Sequence, residues 1–302
     1  MNIELAFNEF VLNKIDAERE VSLANHSTFK IGGNCALAVF PKSKNELKKA
    51  LVTLEKYGIK HRVIGRGSNI LFSDRGYDGA LVFTNKMSKI RREPDGTVYA
   101  EAGATLKSVA NFAYKNALSG FEFAHGIPGS CGGGVYMNAG AYGGEISGVI
   151  KYSDYYNSNT GELGRLEHAE HNFAYRHSVY ADRKELIILG ACFELNDADG
   201  DAIKAVMDEN ALKRKQKQPL EYPNAGSTFK RPPNAFAAQM IDECGLKGLS
   251  VGGAQVSEKH AGFIVNKSGA TAEDVLALIS DVRNKVAEKY GVELEAEIEY
   301  VE

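Results

Sequence analysis

The segment "HGIPGSCGGGVYMNAGAYGG" spans residues 125–144, and eight of its twenty residues are glycine. Glycine loses more backbone entropy on folding than any other residue and adds no side chain to a core. Such a density indicates that a ligand approaches the backbone closely, or that the chain repeatedly adopts positive φ. A second glycine-containing segment, "IGRGSN" (64–69), lies in the same half of the chain.

Neither segment fits a standard nucleotide-binding motif. Ile70 stands where G-x-G-x-x-G needs its third glycine after "GRGSN", and G-x-x-x-x-G-K-[ST] is absent. Successive backbone N–H groups in turn conformations can nevertheless bind phosphate. Two such segments would hold a dinucleotide pyrophosphate from both sides, and a pair of purely structural turns is the alternative. The side chains that would assist as hydrogen-bond partners are Ser68, Asn69, Ser130 and Asn138.

Composition places the chain among ordinary globular proteins. It has 302 residues, a length that predicts two or three domains. Its content of 44% hydrophobic and 25% charged residues is that of an ordinary globular protein. A net charge of −3 gives no reason to expect a nucleic-acid partner. No apolar run is long enough to span a membrane and no signal-peptide pattern is present, so a cytoplasmic protein is predicted. The scattered cysteines predict buried thiols, and the histidines lack the spacing of a metal site.

Periodicity predicts a mixture of helices and strands. Segments 43–58, 105–120 and 271–291 have helical spacing, and a polar helix ending at Pro219 predicts a connector. In "VELEAEIEYVE" (292–302) apolar residues alternate with glutamates, which predicts a strand with one buried face. Because strands and helices do not alternate steadily, α+β architecture is favoured over a doubly wound sheet.

Three further residues stand in suggestive surroundings. Ser227 lies in the tight segment "NAGSTFKRP", Arg176 lies among aromatic residues in "FAYRHS", and Glu297 is one of the alternating glutamates. A turn-forming serine, a stacked arginine and an exposed glutamate are the structural alternatives. No G-x-S-x-G segment supports Ser-His-Asp hydrolysis. The short basic run "LKRKQKQP" (212–219) is typical of a solvated helix end.

Seven ordered blocks give these residues a family context. The chain resembles the UDP-N-acetylenolpyruvoylglucosamine reductases, flavoenzymes of bacterial cell-wall synthesis that make UDP-N-acetylmuramate. The resemblance runs over almost the whole chain, in the blocks "NHSTFKIGG" (25–33), "VIGRGSNIL", "HGIPGSCGGGVYMNAGAYGGE", "FAYRHS", "KQPLEYPNAGSTFKRP", "GGAQVSEKHAGFIVN" and "LEAEIEYV".

The resemblance implies a fold and a domain plan. An α+β chain is expected, with an FAD-binding unit of the vanillyl-alcohol-oxidase type in two subdomains and a C-terminal α+β substrate domain. The implied boundaries are 1–60 for the first subdomain, completed by a strand at 291–302, and 61–198 for the second. A connector helix at 199–212 and a substrate-binding domain at 213–290 complete the plan.

The resemblance also implies roles residue by residue. Arg176, Ser227 and Glu297 match the family's catalytic arginine, proton donor and glutamate. Tyr142, Lys217, Lys230 and Arg231 are expected to bind substrate, and no metal is expected. The two glycine segments would bind FAD through Ile64, Gly65, Arg66, Gly67, Ser68, Asn69, Gly126, Ile127, Pro128, Gly129, Ser130, Gly132, Gly133, Asn138, Gly140 and Ala141.

The implied reaction uses non-covalent FAD as cofactor and NADPH as co-substrate. Hydride would pass through the flavin to the enolpyruvyl C3 of UDP-N-acetylglucosamine enolpyruvate, and Ser227 would protonate C2. A monomer without nucleic-acid or membrane partners is expected. The interval between Arg176 and Lys213 has no room for the tyrosine-bearing loop of longer family members, so this chain resembles the shorter class. An FAD-dependent oxidase of an alcohol or sugar, and a nucleotide-binding module without turnover, are the alternatives.

Overall fold

The computed structural model describes residues 2–302. That range contains eight α-helices and eighteen strands, several of them only two or three residues long. The helices are α1 (Asn2–Leu12), α2 (Lys44–Lys56), α3 (Leu106–Lys115), α4 (Cys131–Tyr136), α5 (Val179–Asp182), α6 (Gly200–Lys217), α7 (Ala237–Glu243) and α8 (Ala272–Tyr290). The strands are β1 (Ala17–Ser22), β2 (Asn34–Val39), β3 (His61–Ile64), β4 (Ile70–Phe72), β5 (Tyr77–Phe83), β6 (Ile90–Arg92), β7 (Val98–Glu101), β8 (Leu118–Ser119), β9 (Gly140–Ala141), β10 (Gly144–Glu145), β11 (Ile150–Asn157), β12 (Leu163–Glu167), β13 (Leu186–Phe193), β14 (Asn196–Asp197), β15 (Ser250–Val251), β16 (Ala254–Val256), β17 (Ile264–Asn266) and β18 (Glu299–Val301).

The chain divides into two compact units that each draw on more than one segment. Unit 1 comprises Met1–Arg19, Leu37–Arg66 and Gly79–Arg214. Unit 2 comprises Glu20–Ala36, Gly67–Asp78 and Lys215–Glu302. The boundary between Arg66 and Gly67 therefore falls inside the segment 64–69.

Unit 1 contains two sheet-and-helix layers. A five-stranded antiparallel sheet of order β12-β11-β13-β7-β6 packs its apolar face against α3 and α4. In the second layer, α1 and α2 pack against β3 and the unit 1 parts of β2 and β5. These strands belong to a sheet of order β1-β2-β5-β3, in which β3 and β5 run parallel. Ser43 begins α2 as predicted, because its hydroxyl accepts a 3.2 Å hydrogen bond from the Glu46 N–H.

Unit 2 is built around α8 and a small antiparallel sheet of order β15-β16-β17. Thr271 and Asp274 form a reciprocal capping box at the start of α8, and Val275, Leu278 and Val282 of that helix are fully buried. A parallel pair joins β4 and β18, with Ile70 opposite Glu299. This mixture of elements confirms the predicted α+β class.

The prediction of a strand over 292–302 is wrong for most of its length. Only Glu299–Val301 is a strand, and Ala296 forms an isolated bridge with Phe229. The alternation arises because Leu294 and Ile298 enter the core of unit 2. Within residues 2–302, no helix is both long and apolar enough to cross a membrane.

Candidate active site

The two glycine segments meet in unit 1 at Gly65 and Ser130. A Cβ added to Gly65 would lie 2.3 Å from Ser130 Oγ, so the absence of a side chain permits this approach. Ser130 is buried, and its hydroxyl accepts a 3.3 Å hydrogen bond from the Gly133 N–H at the start of α4. The structure thus brings together the parts of both segments that lie in unit 1.

Helix α4 occupies the middle of the glycine-rich segment, where the sequence predicts only a loop. The Cys131 N–H donates to Ala104 O at 2.7 Å, and the Gly132 N–H donates to Ala102 O at 2.8 Å. A Cβ on Gly132 would lie 3.1 Å from Ala102 Cβ. Close packing against the preceding chain therefore explains part of the glycine content, independently of any ligand.

Cys131 is a buried packing residue. Its side chain is 0% exposed, and its thiol donates to the Ala100 carbonyl at 3.6 Å. Burial raises the pKa of the Cys131 thiol to about 12, so the thiol stays protonated near neutral pH. This agrees with the prediction of buried thiols, since Cys35 and Cys192 are also buried and Cys244 is partly exposed.

Arg176 lies in a tight turn closed by the bridge between Ala174 and His177. Its Nη2 donates to Gly140 O at 3.2 Å, and its guanidinium carbon lies 4.9 Å from the centre of the Tyr175 ring. Asn138 Nδ2 donates to Ala174 O at 3.1 Å. The turn that carries Arg176 is therefore fastened to the end of the glycine-rich segment.

Backbone strain accumulates in the same region. Asn138, Tyr142 and Arg176 have φ of +42°, +53° and +55°, a conformation that L-residues adopt rarely. Such residues cost about 1–3 kcal/mol each and concentrate at functional sites. All three were predicted as site residues from sequence, and Tyr142 exposes 41% of its surface.

Sequence reasoning missed Arg214, which it assigned to a solvated helix end. Its Nη1 donates to the Gly126 carbonyl, and a Cβ on Gly126 would lie 3.2 Å from Arg214 Cδ. Burial lowers the pKa of the Arg214 guanidinium. Burial also raises the pKa of the nearby Tyr142 phenol, and the positive charges of Arg214 and Lys213 only partly offset that rise. Only its half-buried position on α6 distinguishes Arg214 from the exposed Lys213 and Lys215.

In unit 2, Ser227 and Glu297 are connected through Thr228. The Glu297 N–H donates to Thr228 O at 2.8 Å. Thr228 is fully buried; its N–H donates to Gly262 O at 2.8 Å, and its hydroxyl accepts from the Ile264 N–H at 2.9 Å. Ser227 itself is exposed. A rigid residue thus positions an accessible hydroxyl beside the segment that carries Glu297.

The unit 2 part of the first glycine segment reaches the same place. Asn69 Nδ2 donates to Glu297 O at 2.9 Å, and the Glu299 N–H donates to Asn69 O at 3.0 Å. Gly67 has φ of +60°, and a Cβ there would lie 2.3 Å from His26 O. Asn69, Ser227 and Glu297, predicted from separate blocks, are therefore close together.

The predicted substrate-binding cations of unit 2 differ in their surroundings. Lys230 is half-buried, and its side chain forms an ion pair with Glu295. The backbone N–H of Lys230 also donates to the backbone carbonyl of Glu295 at 2.8 Å. The Arg231 guanidinium lies 4.8 Å from the centre of the Phe236 ring. Lys217 is exposed at the end of α6. The pKa of His260 is lowered mainly by burial of that histidine, and the positive charge of Lys217 adds to the lowering.

The remaining predicted cofactor residues span a range of exposure. Ile64, Gly129 and Gly132 are buried, whereas Arg66, Pro128 and Gly133 are exposed. Ser68, Gly126, Ile127, Gly140 and Ala141 are intermediate. Both segments thus contain residues that a ligand can reach, while the N–H groups of Gly132 and Gly133 are already hydrogen-bonded within the protein.

Two family descriptions match the chain. "FAD binding domain" covers residues 35–163, and "UDP-N-acetylenolpyruvoylglucosamine reductase, C-terminal domain" covers residues 218–301. The first match identifies an FAD-binding domain in a range that holds all of the predicted cofactor residues. The second contains Ser227, Lys230, Arg231 and Glu297.

Relatives match over nearly the whole chain. UDP-N-acetylenolpyruvoylglucosamine reductase of Clostridium novyi is 45% identical over 293 residues, which are 97% of this chain and 94% of the relative. The reductase of Geobacillus kaustophilus is 42% identical over 283 residues, covering 94% of this chain and 92% of the relative.

Solved structures confirm the fold. The crystal structure of UDP-N-acetylenolpyruvylglucosamine reductase from Thermus caldophilus has a TM-score of 0.81 and 31% identity, covering 95% of this chain and all of that chain. Xylooligosaccharide oxidase from Myceliophthora thermophila has a TM-score of 0.50 and 20% identity over 64% of this chain and 43% of its own, a likeness of fold alone. The predicted α+β fold with an FAD-binding domain is thereby confirmed.

Proposed function

The chain belongs to the UDP-N-acetylenolpyruvoylglucosamine reductase family, and on that premise we propose that it reduces UDP-N-acetylglucosamine enolpyruvate to UDP-N-acetylmuramate. NADPH would be the hydride source, and the product would serve peptidoglycan precursor synthesis. The observation that carries the proposal is the proximity of Ser227, Glu297 and Asn69 in unit 2. The Glu297 N–H donates at 2.8 Å to the carbonyl of Thr228, the neighbour of Ser227, and the Glu297 carbonyl accepts at 2.9 Å from the Asn69 amide. The residues that would protonate the substrate and stabilise its charge thus lie on neighbouring backbone segments.

The residues present fit a bound FAD. The absence of a side chain at Gly65 lets the two glycine segments lie side by side, since a Cβ there would meet Ser130 Oγ at 2.3 Å. Backbone N–H groups of the two glycine segments would donate to the pyrophosphate, because small residues let phosphate oxygens reach the main chain. When bound, FAD would relay hydride from NADPH to the enolpyruvyl C3.

Arg176 would stabilise the charge that develops on the substrate. Addition at C3 pushes negative charge toward the substrate carboxylate, and a fixed guanidinium favours that charge. Arg176 is held by its turn, by the 3.2 Å hydrogen bond to Gly140 O and by the Tyr175 ring, so little reorganisation is needed. A preorganised donor of this kind contributes about 3–4 kcal/mol to lowering the barrier.

Ser227 would donate the proton to C2, and Glu297 in its protonated form would donate a hydrogen bond to the developing charge. A serine hydroxyl is a weak acid and needs neighbours that stabilise the alkoxide. Lys230 contributes less than its charge suggests, because it is paired with Glu295. The basicity of the substrate carbanion therefore drives much of the transfer.

Tyr142, Lys217, Lys230 and Arg231 would bind the UDP part of the substrate. Lysine and arginine bind phosphate oxygens through charge-assisted hydrogen bonds. Lys217 and Arg231 are exposed, which suits residues that meet a ligand from solution.

An anaerobic stopped-flow experiment tests the proposal. NADPH should bleach the oxidised-flavin absorbance of the purified protein, and UDP-N-acetylglucosamine enolpyruvate should then restore it. A folded protein that binds no FAD, or a reduced flavin that the substrate fails to reoxidise, would contradict the proposal. Oxygen consumption with an alcohol or sugar in the absence of NADPH would favour an oxidase instead.

A further inference from the structure

Three buried polar side chains of unit 1 form one hydrogen-bonded cluster at strand β11. Ser153 Oγ lies 2.7 Å from His171 Nε2 and 2.6 Å from the hydroxyl oxygen of Tyr180. All three residues are at most 1% exposed. Buried polar groups lower stability unless they are hydrogen-bonded, and apolar side chains would fill the same volume without that requirement. The cluster therefore indicates a role for the hydrogen bonds themselves.

The surroundings of His171 determine which atoms of the cluster donate. Its Nδ1 lies 3.0 Å from Glu167 O and 3.2 Å from His168 O, and carbonyl oxygens only accept, so the neutral ring carries its proton on Nδ1. Nε2 is then the acceptor for the Ser153 hydroxyl, and Ser153 Oγ accepts from the Tyr180 hydroxyl. Burial raises the pKa of the Tyr180 phenol, so its proton remains available for donation.

The cluster holds both ends of the segment that carries Arg176. His171 and Tyr180 are the first and last residues of the segment 171–180, and Arg176 lies between them. Ser153 lies in the interior of β11, which pairs with β12 on one side and with β13 on the other. The hydroxyl of one residue on a rigid strand therefore connects the two ends of this segment.

Contacts within the segment extend the restraint to Arg176. The Phe173 ring stacks on the His171 ring with 4.7 Å between the ring centres. The N–H groups of Ala174 and His177 each donate to the other residue's carbonyl, at 3.1 and 3.2 Å. Arg176 has a φ of +55°, and such strained backbone persists only where the surrounding structure holds it.

We infer that Ser153 and Tyr180 are positioning residues for Arg176, since their hydroxyl groups hold the strained turn from both ends. This inference rests on the proposed function for the role of Arg176. A guanidinium stabilises developing charge best when its position is fixed before the reaction. A displacement of about 1 Å can slow a reaction about 100-fold, so the loss of either hydroxyl should slow the step that uses Arg176.

Tyr180→Phe and Ser153→Ala test the inference in the holoenzyme. Each variant should slow flavin reoxidation by UDP-N-acetylglucosamine enolpyruvate about 10-fold to 100-fold, and should leave flavin reduction by NADPH within about twofold of wild type. Hydrogen exchange at the Ala174 and His177 amides should become about fivefold faster, because the turn opens more often. In an Arg176→Ala background, Tyr180→Phe should slow reoxidation no further, because the two residues act as one unit.

The matched control is Tyr99→Phe. Tyr99 is 1% exposed and donates to Asp154 Oδ2 at 3.1 Å, so this variant also removes a buried tyrosine hydroxyl that is bonded to β11. Tyr99 lies on β7, outside the segment 171–180. Both half-reaction rates and the exchange at Ala174 and His177 should stay within about twofold of wild type.

Each contrary outcome has its own meaning. Wild-type exchange at Ala174 and His177 in both test variants would overturn the inference, as would an equal slowing of reoxidation in Tyr99→Phe. Faster exchange with a wild-type reoxidation rate would also overturn it, since the turn would then be held without consequence for the reaction. A wild-type holoenzyme that the substrate fails to reoxidise would contradict the proposed function, whereas the exchange rates show independently whether the two hydroxyl groups hold the turn.

Discussion

The side-chain amide of Asn69 donates a 2.9 Å hydrogen bond to the backbone carbonyl of Glu297. A second bond, from the Glu299 N–H to Asn69 O at 3.0 Å, makes the contact two-sided. A glycine-segment residue therefore fixes the backbone just before β18, where the proposed catalytic glutamate lies, although 228 positions separate the two in sequence. The proposed cofactor-binding segment and the proposed catalytic glutamate thus share one local structure within unit 2.

The Asn69–Glu297 contact predicts the behaviour of Asn69→Ala. Loss of the amide should lower the free energy of unfolding by about 1 kcal/mol and slow flavin reoxidation by substrate, because the Glu297 segment loosens. Denaturant unfolding and the stopped-flow reoxidation rate measure the two effects. Asn159→Ala, at an exposed residue of unit 1, is the control and should change neither. An unaltered reoxidation rate in a destabilised Asn69→Ala variant would refute the positioning role.

Ser227→Ala should separate the two half-reactions. Flavin reduction by NADPH should stay within about twofold of wild type, while reoxidation by the enolpyruvyl substrate should slow by about 10²–10⁴-fold, the usual contribution of a proton donor. Ser227→Cys should recover part of the reoxidation rate, since a thiol is a better acid. The control is Ser250→Ala, an exposed serine whose hydroxyl donates to Gly248 O at 3.1 Å. Equal losses in both half-reactions would contradict proton donation by Ser227.

A buried histidine predicts a pH dependence of stability. His171 is 0% exposed; its Nε2 lies 2.7 Å from Ser153 Oγ, and its ring stacks on Phe173 at 4.7 Å. Burial lowers the pKa of His171 below its ordinary 6.5. As the pH falls below 6.5, this histidine therefore binds a proton in the unfolded state before it does so in the folded state. The free energy of unfolding decreases as the pH falls from about 6.5 toward the lower pKa of the folded state.

Unfolding in urea between about pH 7.5 and 5.5 measures this effect. His171→Gln should flatten the fall in unfolding free energy toward low pH. Ser153→Ala is the matched control: it removes the 2.7 Å contact but keeps the titrating ring, so it should lower stability and retain the acid-dependent fall. If the free energy of unfolding falls equally steeply with pH in wild type and in His171→Gln, other groups cause the acid sensitivity. His125 and His260 are the candidates, since burial is the main cause of a lowered pKa at each of them.

Local signals explain how much of the fold the sequence predicts. The capped, amphipathic helices α2 and α8 were predictable because caps and apolar spacing act within one helix. Helix α4 was not, because "CGGG" has poor helix propensity and the helix depends on contacts with Ala102 and Ala104. The strand predicted over 292–302 is mostly absent. Alternating apolar and charged residues indicate which side chains are buried, but they do not show that a partner strand is present.

The candidate site shows the same limit. Ser227, Arg176 and Glu297 were proposed because their blocks resemble a family, and no periodicity or spacing singles them out. Arg214 was passed over, since a basic residue at a helix end is common on protein surfaces. Its partial burial distinguishes it, and burial of one side chain depends on segments far away in sequence.

Gly67 and Gly58 provide a comparison that isolates the close approach in the first glycine segment. Both have left-handed φ, +60° and +61°, so an alanine at either position costs about 1 kcal/mol in backbone strain. At Gly58 nothing lies within 4 Å of the new Cβ, whereas at Gly67 the Cβ would lie 2.3 Å from the backbone oxygen of His26. That oxygen belongs to the main chain and cannot rotate away, so the segment 64–69 must shift.

Gly67→Ala should therefore lose clearly more unfolding free energy than Gly58→Ala and should also weaken FAD binding. Urea unfolding and dilution of the holoenzyme, with released flavin followed by fluorescence, give both quantities for each variant. Gly58→Ala should show only the strain cost of about 1 kcal/mol, with unchanged FAD affinity. Similar losses in the two variants would mean that positive φ alone explains the glycine at 67. A large loss of stability in Gly67→Ala with wild-type FAD affinity would remove the 67–69 segment from the cofactor site.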